Sequence, residues 1–297
     1  MLINSTSLAA LRVGFSKKYD DAFKDVPAMR DKVSETMPSS SSENLYGWLG
    51  DLPGVREWIG PRVIHGLKEH DYRVPNKDFE LTVSVPRNAI ADDELGTYGS
   101  RFKSMGRSMA RHPEKMVWDK LKAGFVDECY DGQPFFDTDH PVIGEDGEMI
   151  TVANTDGGTG SPWFLLCTNE DVKPLIYQER QAAKFTALDK DTDENVFMNK
   201  TFIYGSESRA GVGYGFWQMA WGSKQPMNAA NYAIARAALS SMKGDHGRPL
   251  ALTPNLLVVG PSQESAARKL LNSENAAGGE TNEWKGTAEL LIVSWLA

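Results

Sequence analysis

Leu11, Phe15, Tyr19 and Phe23 recur at every fourth position, one stripe of an amphipathic helix, and Pro27 interrupts it. Residues 34–43 lose the pattern; they are polar and serine-rich and read as a linker. A period of two appears in FELTVSVP, where Phe79, Leu81, Val83 and Val85 alternate with Glu80, Thr82 and Ser84. That is the pattern of a half-buried strand. With the charged stretch 62–74 before it and turn chemistry at 75–78, it predicts a long β-hairpin over 62–87. A hairpin this polar has little to bury in its own domain and is expected to lie on another surface.

Residues 95–125 return to helical spacing. Phe102, Met105 and Met109 form one half of the apolar face, Met116, Val117, Leu121 and Phe125 the other. Pro113 predicts a kink or a second helix start, and Gly124 an end. Asp92, Asp93 and Glu94 supply the negative charge that helix starts favour. Further on, 144–160 reads as a glycine- and acid-rich loop, and 163–167, 196–205 and 213–221 as strands. Residues 228–242 read as a helix and LLVVG as a buried strand. Ser262 is expected to cap a helix running to about 272, and TAELLIVSWL to form a last strand. The chain is therefore expected to be α+β, without internal repeats.

Composition narrows the function classes. The 297 residues and 41% hydrophobic content suit a globular protein. No run approaches the ~20 apolar residues that span a bilayer, so no membrane partner is expected. The first fifteen residues lack the basic segment of a signal peptide. Two cysteines, Cys129 and Cys167, are too few for a disulfide framework and read as free thiols. The net charge of −8 argues against tight nucleic-acid binding by the whole surface. The charge is uneven: 95–125 carry seven Lys/Arg against two Asp/Glu, 127–200 five against sixteen. Such blocks can pair with one another or with neighbouring copies, or stand as two solvated faces.

One stretch resembles a site: CYDGQPFFDTDHP, residues 129–141. Cys129 and His140 are a candidate nucleophile and base, and Asp137, Asp139 and His140 candidate metal ligands. Neither set is complete. An oxyanion hole and an orienting third group are unidentified, and His65, His70, His112 and His246 are scattered along the chain. The favoured reading is a structural loop in which Phe135 and Phe136 are buried, Asp137 and Asp139 accept hydrogen bonds, His140 bonds or stacks, and Cys129 acts as a small hydrophobe. GVGYG lacks the context of a phosphate loop. No catalytic residue, metal or cofactor is expected. A cysteine- or metal-dependent hydrolase using Cys129, Asp137, Asp139 and His140 stands as the alternative, and DNA binding through the basic helix as a third class.

The ordered series SENLYGWLGDLPGVREWIGPR, IADDELGTYG, KLKAGF, CYDGQPFFDTDHP, KPLIYQER, VFMNKTFIYG, GYGFWQMAW and RPLALTPNLLVVG resembles the Mu-like major head subunit, the gpT family of tailed-phage capsid proteins, from about residue 42 to the C-terminus. The resemblance implies a Hong-Kong-97-type capsid fold. It divides the chain into an N-terminal arm (1–55), an extended E-loop hairpin (56–92), a peripheral domain (93–226) with a spine helix (95–125), an axial domain (227–286) and a returning strand (287–297). It implies a major capsid protein that self-assembles, as hexamers and pentamers, into an icosahedral shell around DNA. The implied partners are a scaffold or protease, a portal, a decoration protein, and packaged DNA touched only non-specifically. The implied location is the virion, after assembly in the host bacterial cytoplasm. Leu11, Phe15, Tyr19, Phe23, Arg73, Lys77, Phe79, Arg101 and Arg107 become candidate intersubunit contacts. Lys68 or Lys77 could serve a covalent cross-link of the kind one relative makes, although no partner asparagine or catalytic acid is identifiable.

Overall fold

The structure is a computed structural model and describes residues 5–47, 49, 71–92, 97–276 and 278–297. In chain order, the first half holds α1 (Ser5–Lys24), β1 (Ser34–Pro38), β2 (Glu43–Leu45), β3 (Arg73–Pro75), β4 (Lys77–Pro86), α2 (Arg87–Ala91) and α3 (Tyr98–Ala123). Then follow β5 (His140–Ile143), β6 (Met149–Val152), β7 (Thr155–Gly158), β8 (Trp163–Leu166), β9 (Leu175–Leu188), α4 (Glu194–Asn199) and β10 (Thr201–Tyr214). The last part is β11 (Ala220–Lys224), α5 (Ala229–Ser240), β12 (Leu256–Val259), α6 (Glu264–Asn272) and β13 (Glu289–Ile292).

Two sheets carry the fold. One has the order β1-β9-β10-β4, with β1 parallel to β9 and the rest antiparallel. The other has the order β13-β12-β8-β11-β7. Its central strands β8 and β12 are buried along their whole length, which is why they read as unbroken apolar runs. Short antiparallel pairs, β2–β3 and β5–β6, complete the strands.

Two apolar clusters result, and α3 belongs to both. Phe102, Met105 and Met109 enter the smaller cluster with Leu8, Phe15, Tyr19, Val85, Phe202 and Tyr204. Val117, Trp118 and Leu121 enter the larger one, which includes Phe135, Phe136, Trp163, Trp217, Tyr232 and Leu257. Pro113 lies between the two groups, and α3 runs through it as one 26-residue helix rather than the broken one expected. Beside it, the buried Glu114 carboxylate accepts the Arg30 backbone N–H at 3.1 Å and Trp118 Nε1 at 2.9 Å. The Arg30 bond fastens the segment after α1 to the helix, and the Trp118 bond holds the carboxylate in place.

Several expectations change. The serine-rich stretch 34–43 is not a linker: β1 pairs with β9 and β2 with β3, through backbone bonds that need no apolar side chains. The hairpin expected over 62–87 is not two strands of one ribbon. β4 pairs with β10 from Thr201↔Pro86 to Ala210↔Lys77, and β3 pairs with β2. The alternation in β4 is as read, but its apolar side packs on the smaller cluster of the same chain, with Leu81 and Val83 against it. Residues 62–70, with Lys68, and residues 93–96 of the expected helix start lie outside the described residues. Asp92 is the C-cap of α2.

The expected loop 144–160 contains the turn and the second strand of the β5–β6 hairpin, and β7. VFMNKTFIYG is not one strand: α4 ends at Lys200, in the left-handed conformation (φ 50°), and β10 follows. GYGFWQMAW divides into the end of β10, a 3-10 turn (Trp217–Met219) and the start of β11. Ser262 lies within a 3-10 turn (Pro261–Gln263) ahead of α6 and is not its cap. Asn228 does cap α5, its Oδ1 accepting Asn231 N–H at 2.9 Å. The boundary expected at 226/227 cuts through one sheet, because β8 and β11 on one side are joined to β12 and β13 on the other.

Candidate functional site

The stretch 129–141 leaves the end of α3 and folds back on it. Phe136 N–H donates to the Gly124 carbonyl (2.8 Å), and Cys129 N–H to the Gln133 carbonyl (2.8 Å). The reversal turns on Gly132, whose φ of +83° suits glycine. Phe135 and Phe136 are both buried, as expected. Phe135 stacks on Tyr214 with ring centroids 4.4 Å apart, and Phe136 lies 4.9 Å from Phe125 and 5.3 Å from Phe164. A Cβ at Gly124 or Gly222 would come within 2.9 or 2.6 Å of the Phe136 ring, so two glycines on separate elements make its slot.

The polar residues meet around Asp131, which sequence reasoning did not single out. Its Oδ1 accepts Cys129 Sγ–H and Gln133 N–H, both at 3.1 Å, and its Oδ2 accepts from His140 Nδ1 at 2.7 Å. A carboxylate only accepts, so the imidazole carries a proton on Nδ1. The His140 ring is fully buried and stacks on Trp217, centroids 3.9 Å apart and planes 7° apart. Its Nε2 is buried without a hydrogen-bond partner among the described residues. Burial alone would raise the Asp131 carboxyl; the bond and charge of His140, with the Cys129 and Gln133 donors, hold it below its ordinary range instead. Burial, with Asp131 beside it, pushes the Cys129 thiol well above its ordinary range.

This arrangement opposes nucleophilic catalysis. The thiol donates to a carboxylate rather than to the imidazole, and its protonated form is favoured. Cys129, Asp131 and His140 offer three ligand atoms within 4.8 Å of one another. Their direct hydrogen bonds account for that proximity, since protons occupy the positions a cation would displace. Asp137 and Asp139 are not part of the group. Asp137 Oδ1 accepts its neighbour's N–H, Thr138, at 2.6 Å, and Asp139 is exposed. Asn154, also unforeseen, is fully buried. Its Nδ2 donates to the Phe135 carbonyl (2.8 Å) and the Trp217 carbonyl (3.2 Å), while its Oδ1 accepts Asp137 N–H (2.9 Å). One amide thus ties the stretch to the element that carries Trp217.

The residues expected at subunit contacts fall into two groups. Phe15 and Tyr19 are buried inside the chain: Phe15 stacks on Phe102 at 4.2 Å, and Tyr19 Oη shares a 2.7 Å hydrogen bond with Ser206 Oγ. Leu11 and Phe23 are half-buried against the same cluster, and Phe79 packs its ring 4.2 Å from that of His112. These side chains have limited surface left for a neighbour. Lys77, Arg101 and Arg107 are exposed, and Arg73, also exposed, pairs with Glu43 at 2.8 Å and Asp71 at 2.7 Å. Phe197 and Met198 on α4 are exposed apolar side chains, 79% and 68% accessible, next to the far end of the β9–β10 ribbon.

No helix among the described residues is long and apolar enough to cross a membrane. Residues 8–296 match the family described as Mu-like prophage major head subunit gpT. The chain belongs to that family. It is 38% identical to the major capsid protein of Escherichia phage Mu over 305 residues, with both chains fully covered. It is 40% identical to the Mu-like prophage FluMu major head subunit of Haemophilus influenzae over 96% of each chain. Among solved structures it is similar to a chain of the bacteriophage JBD30 procapsid, with a TM-score of 0.87 at 41% identity over 99% of this chain and 100% of that one. Against the JBD30 capsid the TM-score is 0.80 at 30% identity, with both chains fully covered. The expected α+β capsid fold is borne out, and the chain is a phage major capsid protein rather than an enzyme. The hydrolase alternative is set aside.

Proposed function

We propose that this head subunit self-assembles, through hexamers and pentamers, into the closed icosahedral shell that encloses phage DNA in the virion. The supporting observation is the end-to-end likeness to Mu-type head subunits together with a JBD30 procapsid match that covers nearly the whole chain. On this reading α1, α3 and the sheet β1-β9-β10-β4 form the peripheral part of the subunit. The sheet β13-β12-β8-β11-β7, with α5 and α6, forms the axial part. The antiparallel pair β2–β3 is the base of the loop that reaches a neighbouring copy. That base is tied down by Arg73–Glu43 and by Asn76 N–H donating to the Ser42 carbonyl at 2.9 Å. Exposed Phe197 and Met198 suit a contact between copies, since large apolar groups left in water favour burial. A scaffold or protease, a portal and a decoration protein are the further partners, and assembly takes place in the bacterial cytoplasm.

The experiment is expression of the full chain with and without its neighbouring head genes, followed by gradient sedimentation and negative-stain microscopy. Closed shells of uniform size are expected. A chain that stays a folded monomer under every combination would sink the reading.

A further inference from the structure

Over the N-terminal half of α3 the face turned away from the smaller apolar cluster is made of Ser100, Lys103, Ser104, Arg107, Ser108 and Arg111, with Lys115 beyond them, all exposed. Lys103, Arg107 and Arg111 stand four residues apart, so their cations line up at intervals of ~6 Å along the helix. Like charges at this spacing destabilise a helix unless something relieves them. Within α3 the relief is slight. The nearest exposed carboxylate, Asp119, is paired with Lys115, and the helix's other acid, Glu114, is buried in bonds to Arg30 and Trp118. Among the described residues no ion pair reaches Lys103, Arg107 or Arg111. Arg101, on the flank, lies 5.4 Å over the Tyr98 ring.

We infer that this ridge is a contact surface for the phosphate backbone of a nucleic acid. Two observations favour a polyanion over a protein neighbour. The ridge carries only hydroxyls and cations, and none of the large apolar side chains left exposed lies on α3. A protein interface would be expected to place an apolar core there. The chain as a whole is acidic, with 40 Asp/Glu against 32 Lys/Arg, so the ridge is a local exception on a surface that otherwise repels phosphate. Three neutralised phosphates with no base contacts give weak, sequence-independent and strongly salt-dependent binding, which lets a strand slide. The inference rests on the reading of the chain as a shell subunit, because that reading brings nucleic acid to one of its faces.

The test is fluorescence anisotropy of a short labelled DNA duplex of mixed sequence, titrated with the full chain across a salt series. Binding by the wild-type chain should weaken with salt. The Lys103→Gln/Arg107→Gln/Arg111→Gln variant should flatten the plot of log K against log salt by about 2.7, at ~0.9 per phosphate. A second duplex of unrelated sequence should show the same loss. Circular dichroism checks that the variant is folded; if it is not, Arg107→Gln alone should flatten the slope by about 0.9. Lys243→Gln/Lys285→Gln, away from the ridge, should leave binding unchanged. An absence of wild-type binding at low salt, an unaltered slope in the ridge variant, or an equal loss in the control would each overturn the inference. So would a ridge variant that binds duplex normally but no longer forms shells, which would make the ridge a contact between copies. Shells are scored separately by microscopy, so a wild-type chain that never assembles counts against the capsid reading and not against the duplex result.

Discussion

Asp131 receives three donors on two oxygens, and replacing it affects all three at once. Asp131→Asn keeps the shape but removes one of the two acceptor oxygens and the negative charge that the donors face. We expect a loss of about 1–3 kcal/mol, read as a lower urea midpoint with an unchanged slope; an unaltered midpoint would refute the role. The pH dependence has a definite sign. Because the folded carboxyl sits below its ordinary value, its contribution is fully present above the usual Asp range of about 4 and is lost as pH falls through the lower folded value. Wild type and variant should therefore converge in acid. The burial of Phe135 and Phe136 was legible from the sequence, since two adjacent aromatics seldom both face water. Asp131 was not. Proximity in DTDH pointed to Asp137 and Asp139, whereas the Gly132 turn brings His140 to a partner nine residues upstream.

Among the elements, the closest helix contact is α1 on α3. A Cβ at Gly106 would lie 2.3 Å from the Tyr19 carbonyl oxygen, which is backbone and has little freedom to move. Alanine is the better helix former by roughly 1 kcal/mol, so propensity alone predicts that Gly106→Ala stabilises. The contact predicts the reverse, a net loss of about 1–3 kcal/mol from overpacking, seen as a lower melting temperature of the full chain. A raised melting temperature would show that the helices part easily. Helical elements with clear periodicity were readable: α1, α3 and α5 lie close to where the pattern puts them. The ribbon β9–β10 was harder. Its first residues, Leu175 to Gln178, are buried on both faces, and its later ones alternate around exposed Arg180, Gln181 and Lys184. No single period covers all 14 residues. Phe197 and Met198 read as a strand because they are bulky and apolar, yet they lie exposed on a short helix.

At the scale of the whole molecule, the placement of Phe15 decides between two behaviours. As part of an intersubunit strap, its replacement would spare folding and weaken shells. It stacks instead on Phe102, and its ring lies 5.6 Å from that of Tyr204 in the same chain. We therefore expect Phe15→Asp to lower the melting temperature of unassembled protein and the yield of shells together, measured by calorimetry and sedimentation. A folded variant without shells would return the stripe to the interface. The capsid identity was legible only through the ordered motifs, since composition and periodicity alone lead no further than an acidic α+β protein. A division along the chain is hard to read because sheets join distant segments: β8 and β11 pair within a sheet that also holds the C-terminal β13. The same long-range pairing has a consequence in time. Tyr19 bonds to Ser206, 187 residues later in the chain. At about 5–20 residues per second, the ribosome needs roughly 10–40 s to deliver that partner after α1 has been made. Until then α3, through Phe102, can cover part of the apolar stripe of the 20-residue α1, and β10 cannot. α1 thus completes its contacts only when β10, far later in the chain, has emerged.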